Sequence, residues 1–241
     1  MYDYLIVIPA RYDSTRFPGK PLVNICGKSM IRRVWEKCIE ALSADQVIIA
    51  TDDERIVQHC EENKMNTILT SKECLTGTDR IYEVSKKIKS KIYINVQGDE
   101  PLISPEDILK IINESKDYPD SVVNGMANIK TPNDHKNPNI PKVVVDKKNN
   151  LLFMSRAAIP INKNLEFISA KKQVCIYAFP YEALNIYGLI SQKTPLEQIE
   201  DIEILRFLEM GINVKMVEVS DSSIAVDVPE DLEKVISAIN D

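Results

Sequence analysis

The 241 residues are 44% hydrophobic and 27% charged, with seven glycines and thirteen prolines, a balance that excludes a disordered, collagenous or low-complexity chain and is enough to bury a substantial core. Thirty basic against 36 acidic residues leave a net charge of -6, which argues against nucleic acid or membrane as a partner, so each basic segment is read locally. The opening MYDYLIVIPARYDS has no basic stretch before its apolar run, and no later run approaches the roughly 18 apolar residues of a membrane span, so a cytoplasmic protein without a signal peptide is expected.

Length predicts one α/β domain with an appended lobe. Strand signals at 5–8, 47–50, 66–69 and 92–96 alternate with helical periodicity over 30–42, 54–63, 78–89 and 105–115. Short continuous apolar strands between amphipathic helices point to a mainly parallel sheet covered on both faces. Pro9 is expected to end the first strand, and Ser104 with Pro105 to open the helix at 105. After about residue 120 the pattern changes to SVVNGMANI, KVVVD, a KKNN turn, LLFMS and QVCIYAF, which read as antiparallel hairpins or an inserted ribbon. Helices near 181–190 and 197–210, a strand at VKMVEV and a last helix from about Pro229 complete the chain. No repeat or linker marks a boundary, so 1–241 reads as one domain with a strand-rich lobe at about 120–180.

Cys26, Cys38, Cys60, Cys74 and Cys175 are odd in number and dispersed, a reduced pattern in which Cys38 and Cys60 fall on apolar helix faces. His59 and His135 have no ligand spacing, so zinc sites and histidine-based nucleophile arrangements are not expected.

Four segments carry chemistry. IPARYDSTRFPGKP (8–21) follows the first strand, where parallel sheets bind ligands, and sets Arg11, Arg16 and Lys20 among Ser14, Thr15 and Gly19, a composition suited to phosphate oxygens. It is neither a Walker A loop, since Pro21 follows Lys20, nor a dinucleotide fingerprint; a solvated basic loop is the plain alternative. VQGDEPLI (96–103) puts Asp99 and Glu100 after a glycine at the end of the fourth strand, where a carboxylate beside phosphates suits Mg²⁺, or where a turn needs a capping acid. AVDVPEDL (225–232) ends a strand on Asp227, which is an ordinary Asp-Pro-type turn unless it meets Asp99 in space. TGTDR (76–80) opens a helix with hydroxyls, fitting an anion contact or a simple N-cap.

Together with GKSMI, VIIATDDERI, PKVVVD, FMSRAAIP, IYAF and TPLEQIE, these stretches run in order over nearly the whole chain, and the sequence resembles the 3-deoxy-manno-octulosonate (Kdo) cytidylyltransferases, the CMP-Kdo synthetases. The resemblance implies a Rossmann-like nucleotidyltransferase fold with an antiparallel strand-rich lobe. It implies transfer of CMP from CTP to the anomeric hydroxyl of a 3-deoxy sugar acid, dependence on Mg²⁺, and a cytoplasmic homodimer, formed through the strand-rich lobe, serving lipopolysaccharide or capsule synthesis. Carried onto matching positions, Arg11, Lys20, Asp99 and Asp227 become the catalytic set, with Asp99 and Asp227 holding the metal. Ala10, Arg11, Ser14, Arg16, Lys20, Thr78, Arg80 and Gln97 contact the nucleotide; Arg156, Gln173, Tyr177, Glu197 and Glu200 line the sugar-acid site. No side chain is needed as a nucleophile.

Two departures fall in the sugar half. Family members typically read His-x-Gly-Ile-Tyr where this chain has Gln173, Val174, Cys175, Ile176 and Tyr177, and usually carry Gln where Ile204 stands. Removing or replacing a polar group that meets the substrate changes which substituent is accepted. An amino-substituted Kdo or another 3-deoxy-2-keto acid is therefore an alternative acceptor, and a nucleotide-binding regulator without turnover is the reading from another class.

Overall fold

A computed structural model describes residues 1–13, 17–221 and 223–240. Ser14 and Arg16 of the basic loop, with Thr15, lie outside the described residues. The chain divides into two compact units, Met1–Leu109 with Ser222–Asp241 and Lys110–Asp221, where the sequence shows no boundary.

The first unit opens with β1 (Tyr2–Ala10), a hairpin of β2 (Asn24–Ile25) and β3 (Lys28–Ser29), then α1 (Met30–Ala41), β4 (Val47–Thr51), α2 (Glu54–Glu62), β5 (Thr67–Leu69), α3 (Gly77–Lys87) and β6 (Ser90–Val96). α4 (Pro105–Asp117) begins in this unit. β1 pairs in parallel with β4 and β6, and β4 with β5, so Ile6 lies between Val47 and Ile94. Leu5 to Ile8 and all of β4 are buried, as both-face coverage requires. Pro9 does not end β1: it pairs with Ala50 at the penultimate position, where a missing N–H costs a single rung of the ladder. The hairpin, absent from the sequence reading, turns through Cys26 (φ 47°) and Gly27 (φ 82°), the two left-handed residues of a tight two-residue turn, with Asn24 Oδ1 accepting from the Gly27 N–H at 2.8 Å.

The starts of α1, α2 and α3 have chemical causes. Ser29 caps α1, Asp53 caps α2, and Thr76 with Asp79 forms a capping box on α3. Cys38 and Cys60 are buried on α1 and α2, and burial pushes the Cys60 thiol up to about 11.

The second unit holds β7 (Val122–Asn128), α5 (Pro132–Lys136), β8 (Lys142–Val145), β9 (Leu151–Ser155), β10 (Lys171–Pro180), α6 (Tyr181–Gly188), α7 (Pro195–Glu200), α8 (Ile204–Glu209) and β11 (Val214–Glu218). β7 with β10, β10 with β8 and β8 with β9 are antiparallel, as the change of pattern after residue 120 implies, while β11 joins β7 in parallel. The single helix expected at 197–210 is two. Thr194, Pro195 and Glu197 start α7, and Asp201 at φ 50° stops it before α8. The chain returns to the first unit for α9 (Asp231–Asn240). Among the described residues no helix is long and apolar enough to cross a membrane.

Candidate active site

β1 and β6 are neighbouring parallel strands, so their carboxyl ends, Ala10 and Val96, deliver Arg11 and the turn Gln97–Gly98–Asp99 to the same edge. Gly98 is required here for space. A Cβ at this position would stand 2.8 Å from the Pro9 carbonyl oxygen and 3.2 Å from Ile31 Cδ1, so only glycine lets the turn lie against the end of β1. Gly98→Ala is expected to cost about 1–3 kcal/mol by overpacking, a fall of roughly 2–10 °C in Tm. It should also lower turnover by displacing Asp99; a thermal melt alongside a rate measurement checks both, and an unchanged Tm would contradict the close-approach argument.

The loop after β1 returns through Gly19, whose φ of 71° is a left-handed conformation and whose N–H donates to the Tyr12 carbonyl at 2.9 Å. Its stem is braced from α2: the Arg55 guanidinium sits 3.3 Å from the centre of the Tyr12 ring and is hydrogen-bonded to Asp53. A one-turn 3-10 helix, Lys20–Leu22, then carries Lys20 inward. Lys20 Nζ donates to Asp99 Oδ2 at 2.7 Å and to the Val226 carbonyl at 2.8 Å, and stands 3.9 Å from Asp227 Oδ1.

Asp227 reaches this point because its segment is held twice. The Val226 N–H donates to the Asp99 carbonyl at 2.9 Å, and the Val226 side chain is buried with Ile25, Met30 and Val235. The Asp227 and Val228 N–H groups donate to Asp231 Oδ2. Burial would raise the Asp231 carboxyl, but bonds from Lys234 and those two N–H groups hold it below the usual carboxylate range, so as an anion in the first turn of α9 it ties down the turn before the helix at neutral pH. The Glu100 carboxylate is engaged separately, by Ser223 Oγ, which donates to it.

Three residues far apart in sequence, Lys20, Asp99 and Asp227, thus form one charged cluster, its side chains 13%, 28% and 47% exposed. Two hard carboxylates within reach of one ammonium suit Mg²⁺, which takes one or two protein carboxylates and completes its shell with phosphate oxygens and water. Among the described residues no group of three or more His, Cys, Asp or Glu gathers for a more enclosed metal site.

The remaining nucleotide candidates are placed differently. Arg11 is exposed, and Gln97 is half-buried with its amide against Gly77. Thr78 and Arg80 are 1% exposed. The Arg80 guanidinium donates to Asp52 at 2.9 Å, to Thr70 Oγ1 and to the Ser71 carbonyl, tying α3 to the ends of β4 and β5. TGTDR therefore spends its hydroxyl Thr76 on capping and its arginine on internal bonds.

The sugar-acid candidates all fall in the second unit, in three groups. Arg156 and Glu200 meet: the Arg156 N–H donates to Glu200 Oε2 at 2.8 Å, and Ser155 Oγ to Oε1 at 2.6 Å. Gln173 and Tyr177 meet at a bulge in β10, where Gln173 Nε2 donates to Asn124 Oδ1 at 3.0 Å and to the Tyr177 hydroxyl at 3.2 Å. Asn124 in turn donates to the Val174 and Ile176 carbonyls across that bulge. Glu197 stands apart: it is fully buried and takes Arg206 Nε at 2.6 Å and Nη2 at 2.8 Å. Ile204 is 1% exposed.

One arrangement was not foreseen. Ser29 Oγ lies 2.7 Å from His59 Nε2, so a serine–histidine contact does exist, contrary to the sequence reading. Ser29 also accepts the Arg32 N–H as the α1 cap, which accounts for the contact structurally. The Val226 carbonyl was also missed; the proline-flanked VDVPED stretch hints at its turn, but no residue type marks a backbone acceptor.

The cytidylyltransferase family matches residues 5–217 of this chain. A 3-deoxy-manno-octulosonate cytidylyltransferase of Escherichia coli is 39% identical over 235 residues, covering 98% of this chain and 95% of its own. A mitochondrial 3-deoxy-manno-octulosonate cytidylyltransferase of Arabidopsis thaliana is 40% identical over 241 residues, covering 98% of this chain and 82% of its own. The solved structure of a CMP:2-keto-3-deoxy-manno-octonic acid synthetase complexed with CTP superposes with a TM-score of 0.92 at 38% identity, covering 98% of both chains. With the Lys20, Asp99 and Asp227 cluster at the carboxyl edge of a parallel sheet and likeness along its whole length, this chain belongs to the 3-deoxy-manno-octulosonate cytidylyltransferase family.

Proposed function

We propose that this protein transfers CMP from CTP to the anomeric hydroxyl of 3-deoxy-D-manno-octulosonate, releasing pyrophosphate. The observation that carries the reading is the full-length likeness to a synthetase solved with CTP, at a TM-score of 0.92. The sugar hydroxyl attacks the α-phosphorus in line and pyrophosphate leaves, so the protein's work is orientation and charge stabilisation. Lys20, with Arg11 and Arg16, neutralises the charge that gathers on the departing pyrophosphate. Asp99 and Asp227 would hold Mg²⁺; when bound, the ion supplies Lewis-acid polarisation of the phosphate and lowers the pKa of a coordinated oxygen. Arg156 holds the sugar-acid carboxylate. Homodimer assembly, a cytoplasmic setting and use of the product in lipopolysaccharide or capsule synthesis belong to the same proposal.

A second acceptor is favoured by one observation. Gln173 presents an amide, hydrogen-bonded to Asn124 and Tyr177, where the family resemblance implies a histidine, so the polar groups offered to the sugar differ from those the resemblance implies. Pyrophosphate release is measured with CTP, Mg²⁺ and, side by side, Kdo, its 8-amino analogue and a nonulosonic acid. Highest kcat/KM with Kdo is the expected result. A preference of tenfold or more for another acid would move the acceptor and leave the chemistry standing; CTP binding with no release from any acid would favour a regulator.

A further inference from the structure

PKVVVD places a lysine, Lys142, at the first residue of β8, opposite Ser155 on β9. Its side chain is fully buried and no carboxylate pairs with it among the described residues. The ammonium donates instead to two backbone carbonyls, Asn137 at 2.9 Å and Arg156 at 2.6 Å. Burial pushes this amine below its ordinary pKa, the nearby Arg156 charge pushes it further, and Glu200 opposes them. A cation kept in such a place needs a reason, because an apolar chain of the same length fits a core with less desolvation.

Arg156 supplies the reason. Its guanidinium donates to three backbone carbonyls, Glu200 at 2.5 Å, Pro138 at 2.9 Å and Asp201 at 2.9 Å, and the Asp201 carboxylate is 3.9 Å away. Five N–H donors less three engaged leave two for an incoming group, on a side chain that is 34% exposed. Lys142 and Arg156 therefore grip consecutive carbonyls, those of Asn137 and Pro138, while Lys142 also holds the carbonyl of Arg156 itself. Without Lys142 the Arg156 carbonyl and the Asn137 carbonyl beside one of the guanidinium's three rests lose their shared anchor, and among the described residues the Arg156 backbone keeps only the Glu200 bond to its N–H.

We infer that Lys142 is a positioning residue for sugar-acid recognition, acting through Arg156: it fixes the backbone on which the guanidinium is aimed. The inference rests on the reading of Arg156 as the residue that takes the sugar-acid carboxylate. The experiment is a double-mutant cycle of Lys142→Met and Arg156→Ala, with pyrophosphate release followed at varied Kdo and varied CTP. Arg156→Ala alone is expected to raise the KM for Kdo at least tenfold, and Lys142→Met to raise it about tenfold, each leaving the KM for CTP within twofold. In the Arg156→Ala background Lys142→Met is expected to add less than twofold. If Lys142→Met gives no folded protein, Lys142→Gln, whose amide keeps two N–H donors, enters the same cycle and is expected to raise the KM for Kdo less. Equal losses toward CTP and Kdo, or full additivity with Arg156→Ala, would overturn the inference by making Lys142 a structural residue only. An unchanged KM for Kdo in Arg156→Ala would overturn the reading of Arg156 itself.

Discussion

Asp99→Asn is expected to lower kcat/KM for pyrophosphate release by about 10³-fold, equivalent to ~4 kcal/mol of transition-state stabilisation. The substitution keeps size and shape but removes the charge that meets Lys20 at 2.7 Å and that would meet a divalent cation. Asp99 and Lys20 are partly exposed, so the stability lost with the pair is expected to be within about 1 kcal/mol. The Asp99 carbonyl that receives the Val226 N–H is untouched, which keeps the C-terminal segment in place. A large fall in rate with a near-native melting curve is therefore the signature. A variant that melts early and turns over normally when folded would assign Asp99 to the scaffold.

Glu197→Ala is expected to act in the opposite sense, on stability. Glu197 and Arg206 are both fully buried, two hydrogen bonds join them, and the guanidinium also lies 3.8 Å from the centre of the Tyr187 ring. Removing Glu197 takes away the carboxylate that holds a buried guanidinium at 2.6 and 2.8 Å, and breaking a buried ion pair in this way costs about 3–5 kcal/mol. The loss is read as a fall in the urea midpoint, with the KM for Kdo of the remaining folded enzyme changed little. A variant of native stability with a sharply raised KM for Kdo would instead give Glu197 the sugar-lining role that the family resemblance implies.

These two residues show where the sequence was legible and where it was not. Asp99 could be read because a glycine and two acids directly follow a buried strand, and parallel strands put such turns at one edge. Asp227 needed the resemblance: 128 positions separate it from Asp99, and the link is the Val226 backbone with its small apolar cluster, which no local pattern announces. Arg80, read in the TGTDR stretch, and Glu197, placed at the sugar site by the resemblance, are each buried in an ion pair with a residue whose proximity is tertiary. The alternation of strands and helices over the first hundred residues was clear because burial on both faces makes strands uniformly apolar. The β2–β3 hairpin escaped notice because its strands are two residues each, and the break between α7 and α8 because a left-handed aspartate leaves no mark on hydrophobic periodicity.

The most direct measurement is phosphorus NMR of CTP and Kdo incubated with the protein and Mg²⁺. The account predicts loss of the three CTP resonances with equimolar gains of pyrophosphate and one phosphodiester, the pyrophosphate signal twice as intense, and none of this in Asp99→Asn over the same period. CTP left intact, or cleavage to CDP and inorganic phosphate, would contradict attack at the α-phosphorus and with it the assigned reaction.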